Sequence, residues 1–71
     1  MMKRFLVIYE KTATGYSAYV PDIPGVAATG KTMASIEKRI YEAINFHLEG
    51  LELENLPVPK SNSIGETLVF A

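Results

Sequence analysis

"VPDIPGVAATGKT", Val20 to Thr32, decides how this chain folds. Pro24-Gly25 suits the two central positions of a type II turn, where proline presets φ and glycine accepts a positive φ. A reversal there makes its flanks antiparallel neighbours. Upstream, "YSAYV" alternates Tyr16, Ala18 and Val20 against Ser17 and Tyr19, as a half-exposed strand does, and predicts a strand over about 16–20. Downstream, "GVAATGK" is weakly β-forming and predicts a short strand over 26–30 at a sheet edge, where modest propensity does least harm. Within the turn, Pro21, Pro24 and Gly25 are structural residues. Asp22 is expected to brace the turn by accepting hydrogen bonds from the backbone that follows it.

Working outward, "RFLVIYE" is apolar on both alternating sets, Phe5, Val7, Tyr9 and Leu6, Ile8. That pattern belongs to a strand covered on both faces and predicts a central strand over about 4–10, joined to the next by a hairpin at Gly15. On the other side, Thr32 is the expected helix cap. From there Ile36, Ile40, Ala43, Ile44, His47, Leu48 and Leu51 recur at three- and four-residue spacing, while Lys38, Glu42, Asn45 and Glu49 take the opposite side. A helix over about 33–49 follows, with Gly50 expected to end it. "ELENLPVPKSNSIG" is proline- and turn-rich and predicts a tether over 52–65, after which "ETLVF" predicts a fourth strand at 66–70. The expected fold is α+β, β-β-β-α-β, with a mixed sheet in the order 3-2-1-4 and one helix on one face. The tether is long enough for strand four to pair in its own subunit or in another.

A 71-residue chain makes one domain and buries only about 60 % of its unfolded surface. It holds no cysteine, so the remaining reinforcement is self-association, and a homo-oligomer, dimer or tetramer, is expected. The apolar run near the N-terminus is too short for a signal peptide or a membrane span, which points to a cytoplasmic protein without a membrane partner. Seven basic against eight acidic residues give a net charge of −1, unsuited to direct nucleic-acid binding. Glu37, Glu42, Glu49, Glu52 and Glu54 against Lys38 and Arg39 make the middle of the chain acidic, a surface for a basic partner.

Chemistry is sparse. His47 is the one histidine and falls on the apolar side of the helix, where packing explains it. No phosphate-cradling loop, cofactor motif or metal-ligand cluster is present. Glu10, Asp22 and Glu66 fall at strand ends, so a residual metal-dependent nuclease is the weaker, enzymatic alternative.

"GYSAYVPDIPGVAATGKT", a helix containing "IYEAINFHLEGL", and "LPVP" together resemble the HicB family of antitoxins over residues 15–59. The resemblance implies a partial ribonuclease H-like fold without that fold's catalytic carboxylates, and a non-catalytic role. Proteins of the family neutralise HicA, a small basic messenger-RNA interferase, by covering its active surface. A HicA-like toxin is thus the implied partner, with Glu42, Asn45 and Glu49 the first candidate contacts and Tyr19 and Asp22 the next. The alternative is an orphan homo-oligomeric binding module. This chain departs from the pattern in three ways. Val26 stands where many relatives carry cysteine. Met33-Ala34-Ser35 lacks the glutamate of a Thr–Glu capping box, so the first turn is expected to fray. Longer members also append a DNA-binding domain, so this chain alone is not expected to regulate transcription.

Overall fold

Two consecutive turns build the corner read from Pro21 to Gly25. The carbonyl of Val20 accepts from the Ile23 amide at 3.1 Å, and the carbonyl of Ile23 accepts from the Val26 amide at 3.2 Å. Gly25 stands at φ +88°, the value that the third residue of a type II turn requires. The Val20 amide then donates to the Val26 carbonyl at 3.3 Å and closes the corner. The computed structural model describes residues 3–71. It contains strands β1 (Ile8–Lys11), β2 (Tyr16–Tyr19) and β3 (Ala27–Gly30), followed by helix α1 (Met33–Leu53).

The strands form one antiparallel sheet in the order β1-β2-β3. Its register aligns Tyr9, Ala18 and Ala28 on one face and Ile8, Tyr19 and Ala27 on the other. The first face lies under α1. Ala18, Val20, Ile23, Val26, Ile36 and Ile40 are buried there, with Phe5, Val7, Tyr9, Tyr16, Ala28, Ala43 and Ile44 packed around them. The other face has no layer of secondary structure over it among the described residues. Tyr9 sits under the helix near Glu37, and burial, with that carboxylate adding to it, pushes its phenol above the ordinary value of 10.0. Arg39 ties helix to sheet by donating from Nη1 to the Thr29 carbonyl at 3.0 Å.

Both helix ends are chemically closed. Thr32 is the N-cap: its Oγ1 accepts from the Ser35 amide at 3.1 Å while Ser35 Oγ accepts from the Thr32 amide at 3.2 Å. The reciprocal capping box is therefore present with serine in the glutamate's place, and the expected fraying is corrected on that ground. The helix runs through Gly50. It ends at Asn55, whose φ of +56° lets the Leu56 amide reach the Leu51 carbonyl at 2.8 Å and the Asn55 amide reach Glu52 at 3.1 Å. This is a Schellman motif with asparagine in the left-handed position, so Asn55, not Gly50, stops the helix four residues beyond the expected end.

Three further expectations are corrected. The first strand's ladder begins at Ile8, not near residue 4, because β2 gives way to the Pro21 corner and residues 3–7 have nothing to pair with on that side. Residues 66–70 form no strand. Without them β1 is an edge strand, and the order 3-2-1-4 is not completed within the chain. The radius of gyration is 13.7 Å, against about 11 Å for a compact chain of this length. The chain is accordingly drawn out to 47 Å in its longest dimension.

Candidate partner-binding surface

Asp22 sits on the first of the two fused turns, which close through the backbone of Val20, Ile23 and Val26 without its carboxylate. Its carboxylate turns away and meets the tether. Oδ2 accepts from the amides of Asn62 at 3.0 Å and Ser63 at 2.9 Å, and Oδ1 accepts from Ser63 Oγ at 2.9 Å. The expected brace within the turn is thus corrected: Asp22 is a latch that holds the chain forty residues later. The tether reaches it along the N-terminal segment, where Val58, Pro59 and Ser61 border a cleft with Lys3, Arg4 and Phe5. Past the latch, the Gly65 backbone lies against the Leu6 side chain, so close that a Cβ there would stand 3.1 Å from Leu6 Cδ1.

The amide of Ser63 is the main reason that the Asp22 carboxyl titrates below its ordinary value of 3.8; partial burial opposes the shift, and the Ser63 hydroxyl and Asn62 amide add to it. The sign follows. A carboxylate with a folded pKa below its unfolded one contributes stability that is complete above the unfolded value and is lost as pH falls through the folded one. Below pH 3.8, therefore, the latch is expected to open ahead of the core. In Asp22→Asn one acceptor oxygen is gone at any pH, and the Asn62 and Ser63 amides should exchange with solvent about tenfold faster or more. Amide exchange by NMR checks both, and unchanged protection of those two amides in the variant would remove the latch.

The helix supplies a different surface. Glu42, Asn45 and Glu49 are exposed on its outward side. Between and beside them stand Phe46 and Tyr41, 69 % and 67 % exposed, which break the polar face at positions where a solvated helix would carry charge. Spacings of three and four residues bring Glu42, Phe46 and Glu49 together into one stripe. Two hollows flank it. One lies between the helix and the N-terminal segment, lined by Phe5, Tyr41, Asn45, Leu48 and Glu49. The other is apolar and lies between the helix and β3, with Val26, Phe46, His47 and Leu51 in its walls.

Tyr19 is on neither. The register puts it on the sheet face away from the helix, because its neighbours Ala18 and Val20 are the ones buried in the core. The five candidate contacts thus do not converge: Glu42, Asn45 and Glu49 share the helix surface, Tyr19 lies across the sheet, and Asp22 is engaged with the tether. Tyr41 and Phe46 escaped the reading of the sequence, although two aromatics on the polar side of an amphipathic helix were the signal. Among the described residues, no three acidic or histidine side chains approach closely enough to hold a metal ion, and no helix is long and apolar enough to cross a membrane.

The family model describing HicB-like antitoxins of bacterial toxin-antitoxin systems matches residues 5–69. The chain belongs to the HicB-like antitoxin family. It is 40 % identical over 58 residues to an uncharacterised 14.9 kDa protein of Haemophilus phage HP1, covering 82 % of this chain and 44 % of that protein. The match therefore spans less than half of the phage protein. A UPF0150 protein of Synechocystis is 35 % identical over 65 residues, 90 % of this chain and 82 % of that one, and another from Helicobacter pylori is 36 % identical over 58 residues, 80 % and 81 %. Among solved structures, a chain in a HicA3 and HicB3 toxin-antitoxin complex superposes with a TM-score of 0.69 at 35 % identity, covering 84 % of this chain and 70 % of that one. The HicB-like match includes the PDIPG corner, the helix and the latched tether, so both surfaces described above fall within the family's shared unit.

Proposed function

We propose that this HicB-like chain is the neutralising partner of a HicA-type toxin in the bacterial cytoplasm and acts by occlusion, without catalysis. The observation that carries this reading is the likeness, at 35 % identity and over 84 % of the chain, to a chain in the solved structure of a HicA3 and HicB3 toxin-antitoxin complex. The outward helix surface has the chemistry for such a partner. Glu42 and Glu49 complement a basic surface and steer its approach, while Phe46 and Tyr41 supply apolar anchors of the kind that carry binding energy once desolvated. Asn45 can pair with backbone or side-chain groups at the rim. Occlusion requires only that this face dock over the toxin's active surface, and no group here needs to gain or lose a proton.

Co-expression with a HicA-type toxin, sought first as a small basic reading frame beside this gene, tests the reading. Growth should be rescued and the two proteins should elute together. Toxicity without rescue, and no complex on a sizing column, would instead leave an orphan binding module. The contact itself is tested by Glu42→Lys with Glu49→Lys, which should slow association and weaken the complex by at least about tenfold at low salt, with a smaller loss at high salt. A double variant that binds as tightly as the wild type would move the interface off the helix.

A further inference from the structure

A hollow of about 580 Å³ lies where the hairpin from β1 to β2 meets the crossing from β3 to α1. That volume falls within the range of roughly 300–1,000 Å³ for small-molecule sites. It shares no residue with the outward helix stripe or with the two hollows beside that stripe. Its walls are chemically one-sided. Lys31 and Arg39 line it together with the hydroxyl-bearing Thr12, Thr14 and Tyr16, and among the described residues no carboxylate does. In a chain of net charge −1, with no basic residue between Glu42 and Glu54, cations gathered without acid are a local exception.

Backbone contacts seat these groups against each other. Gly15 lies on the Gly30 carbonyl and the Lys31 α-carbon with no room for a Cβ, so the hairpin loop that carries Thr12 and Thr14 is pressed down beside Lys31. Gly30 in turn passes so close to the helix start that a Cβ there would stand 2.8 Å from Ser35 Oγ. The register sets Lys11, Tyr16 and Gly30 in one row across the three strands, which brings a third cation to the same end of the sheet. Arg39 is held by the bond from its Nη1 to the Thr29 carbonyl. That bond fixes the guanidinium plane, spends one N–H and leaves the rest of the fork to other acceptors.

The donors select the ligand. Lysine and arginine offer N–H groups and no acceptor, and threonine hydroxyls donate as well, so the group that satisfies them carries negative charge and several acceptor oxygens. A phosphate monoester brings a charge of about −1.5 to −2 at neutral pH and three such oxygens, more than a carboxylate offers on either count. The helix cap is not the seat, because Thr32 and Ser35 spend their hydroxyls and the cap amides on each other. Recognition falls to side chains from both walls. A nucleic-acid strand needs basic surface that continues past one cleft, which a chain of net charge −1 does not supply. Tyr16 adds an aromatic wall against which a base can stack.

We infer that the cleft between the β1–β2 hairpin and the start of α1 binds a small phosphate-bearing molecule of nucleotide or sugar-phosphate size. Lys31 and Arg39 hold the phosphate, and Thr12 and Thr14 donate to it from the facing wall. The residues involved are split between the hairpin and the β3–α1 crossing, so no contiguous motif announces the site. An occupant ties the hairpin to the helix and stabilises the folded chain by mass action. The inference does not rest on the toxin reading: the two surfaces share no residue, and each loses its binding through different variants.

The test is an NMR titration of the isotope-labelled chain with ADP, ribose 5-phosphate, inorganic phosphate and adenosine, at about 0.15 M ionic strength to screen loose charge attraction. The amide signals of Thr12, Thr14, Lys31 and Thr32 should move with the three phosphate-bearing probes and stay in place with adenosine. Tighter binding of ADP than of ribose 5-phosphate assigns a nucleotide, its base against Tyr16; equal or tighter binding of ribose 5-phosphate assigns a sugar phosphate, and either supports the phosphate seat. Lys31→Gln and Arg39→Gln should each weaken binding by about tenfold or more. Lys38→Gln, exposed on the same stretch of helix but outside the cleft, should bind as the wild type does. Lys31 is exposed, so its variant should melt like the wild type and keeps the test decisive if Arg39→Gln, which loses the tie to Thr29, is less stable. Signals that do not move with any phosphate-bearing probe at millimolar concentration would overturn the inference. So would adenosine binding as well as ADP, or Lys31→Gln binding unchanged.

Discussion

Replacing Ile36 with alanine is expected to remove a large share of the chain's stability. Ile36 is wholly buried, one of three isoleucines with Ile23 and Ile40 that form the centre of the core between helix and sheet. Truncating such a side chain removes its transfer free energy and leaves a cavity, at a cost of about 2–5 kcal/mol. Set against that, a 71-residue domain has about 4–10 kcal/mol in total. The buried core holds six side chains among the described residues, so few neighbours can shift to fill the hole. Thermal denaturation should show the midpoint lowered by at least about 10 °C. A change of a degree or two would mean that the core relaxes far more than its packing implies.

Gly15→Ala should cost nearly as much, for a reason of space. Gly15 ends the β1–β2 hairpin, its carbonyl accepting from the Thr12 amide at 2.8 Å. Its α-carbon is pressed on the neighbouring chain where β3 passes to the helix. A Cβ there would overlap the Gly30 carbonyl oxygen and stand 2.9 Å from the Lys31 α-carbon. Both obstacles are backbone, so no rotamer change relieves the clash; the hairpin must lift away from the Gly30-Lys31-Thr32 crossing. Overpacking of this kind costs about 1–3 kcal/mol. Chemical denaturation should give a lower midpoint at unchanged slope, and Gly25→Ala is a useful contrast, because a Cβ there meets nothing and only the positive φ is strained.

Several elements were legible because their causes are local. The helix declares itself through apolar spacing, Thr32 through its position before that spacing, and the corner through Pro-Gly. Elsewhere the cause lay outside the window. Asp22 finds its partners forty residues on, and no local pattern marks Asn62 or Ser63 as donors. "RFLVIYE" is apolar on both faces, but the two-sided cover comes from the helix on one side and, at Leu6, from the tether on the other, not from a strand on each flank. Gly50 looked like a helix stop, yet a glycine ends a helix only where the backbone needs positive φ, and Asn55 met that need. In the candidate surface, the acidic residues were read and the aromatics beside them were not, because only the apolar residues at core spacing were weighed and Tyr41 and Phe46 fall outside that spacing. "ETLVF" has the pattern of a strand but no ladder partner among the described residues, and alternation alone does not supply one.

The smallness of the core has a consequence for how long the molecule survives. With six buried side chains among the described residues and about 4–10 kcal/mol of stability, the free chain keeps a small unfolded fraction that is open to proteolysis. Any partner that binds only the folded form, present at a hundred times its dissociation constant, adds about 2.7 kcal/mol and cuts the unfolded fraction about a hundredfold. For a domain this size that is a sizeable share of the whole. The amount of protein in a cell then reports how much partner is there to hold it, and lifetime becomes a readout of occupancy.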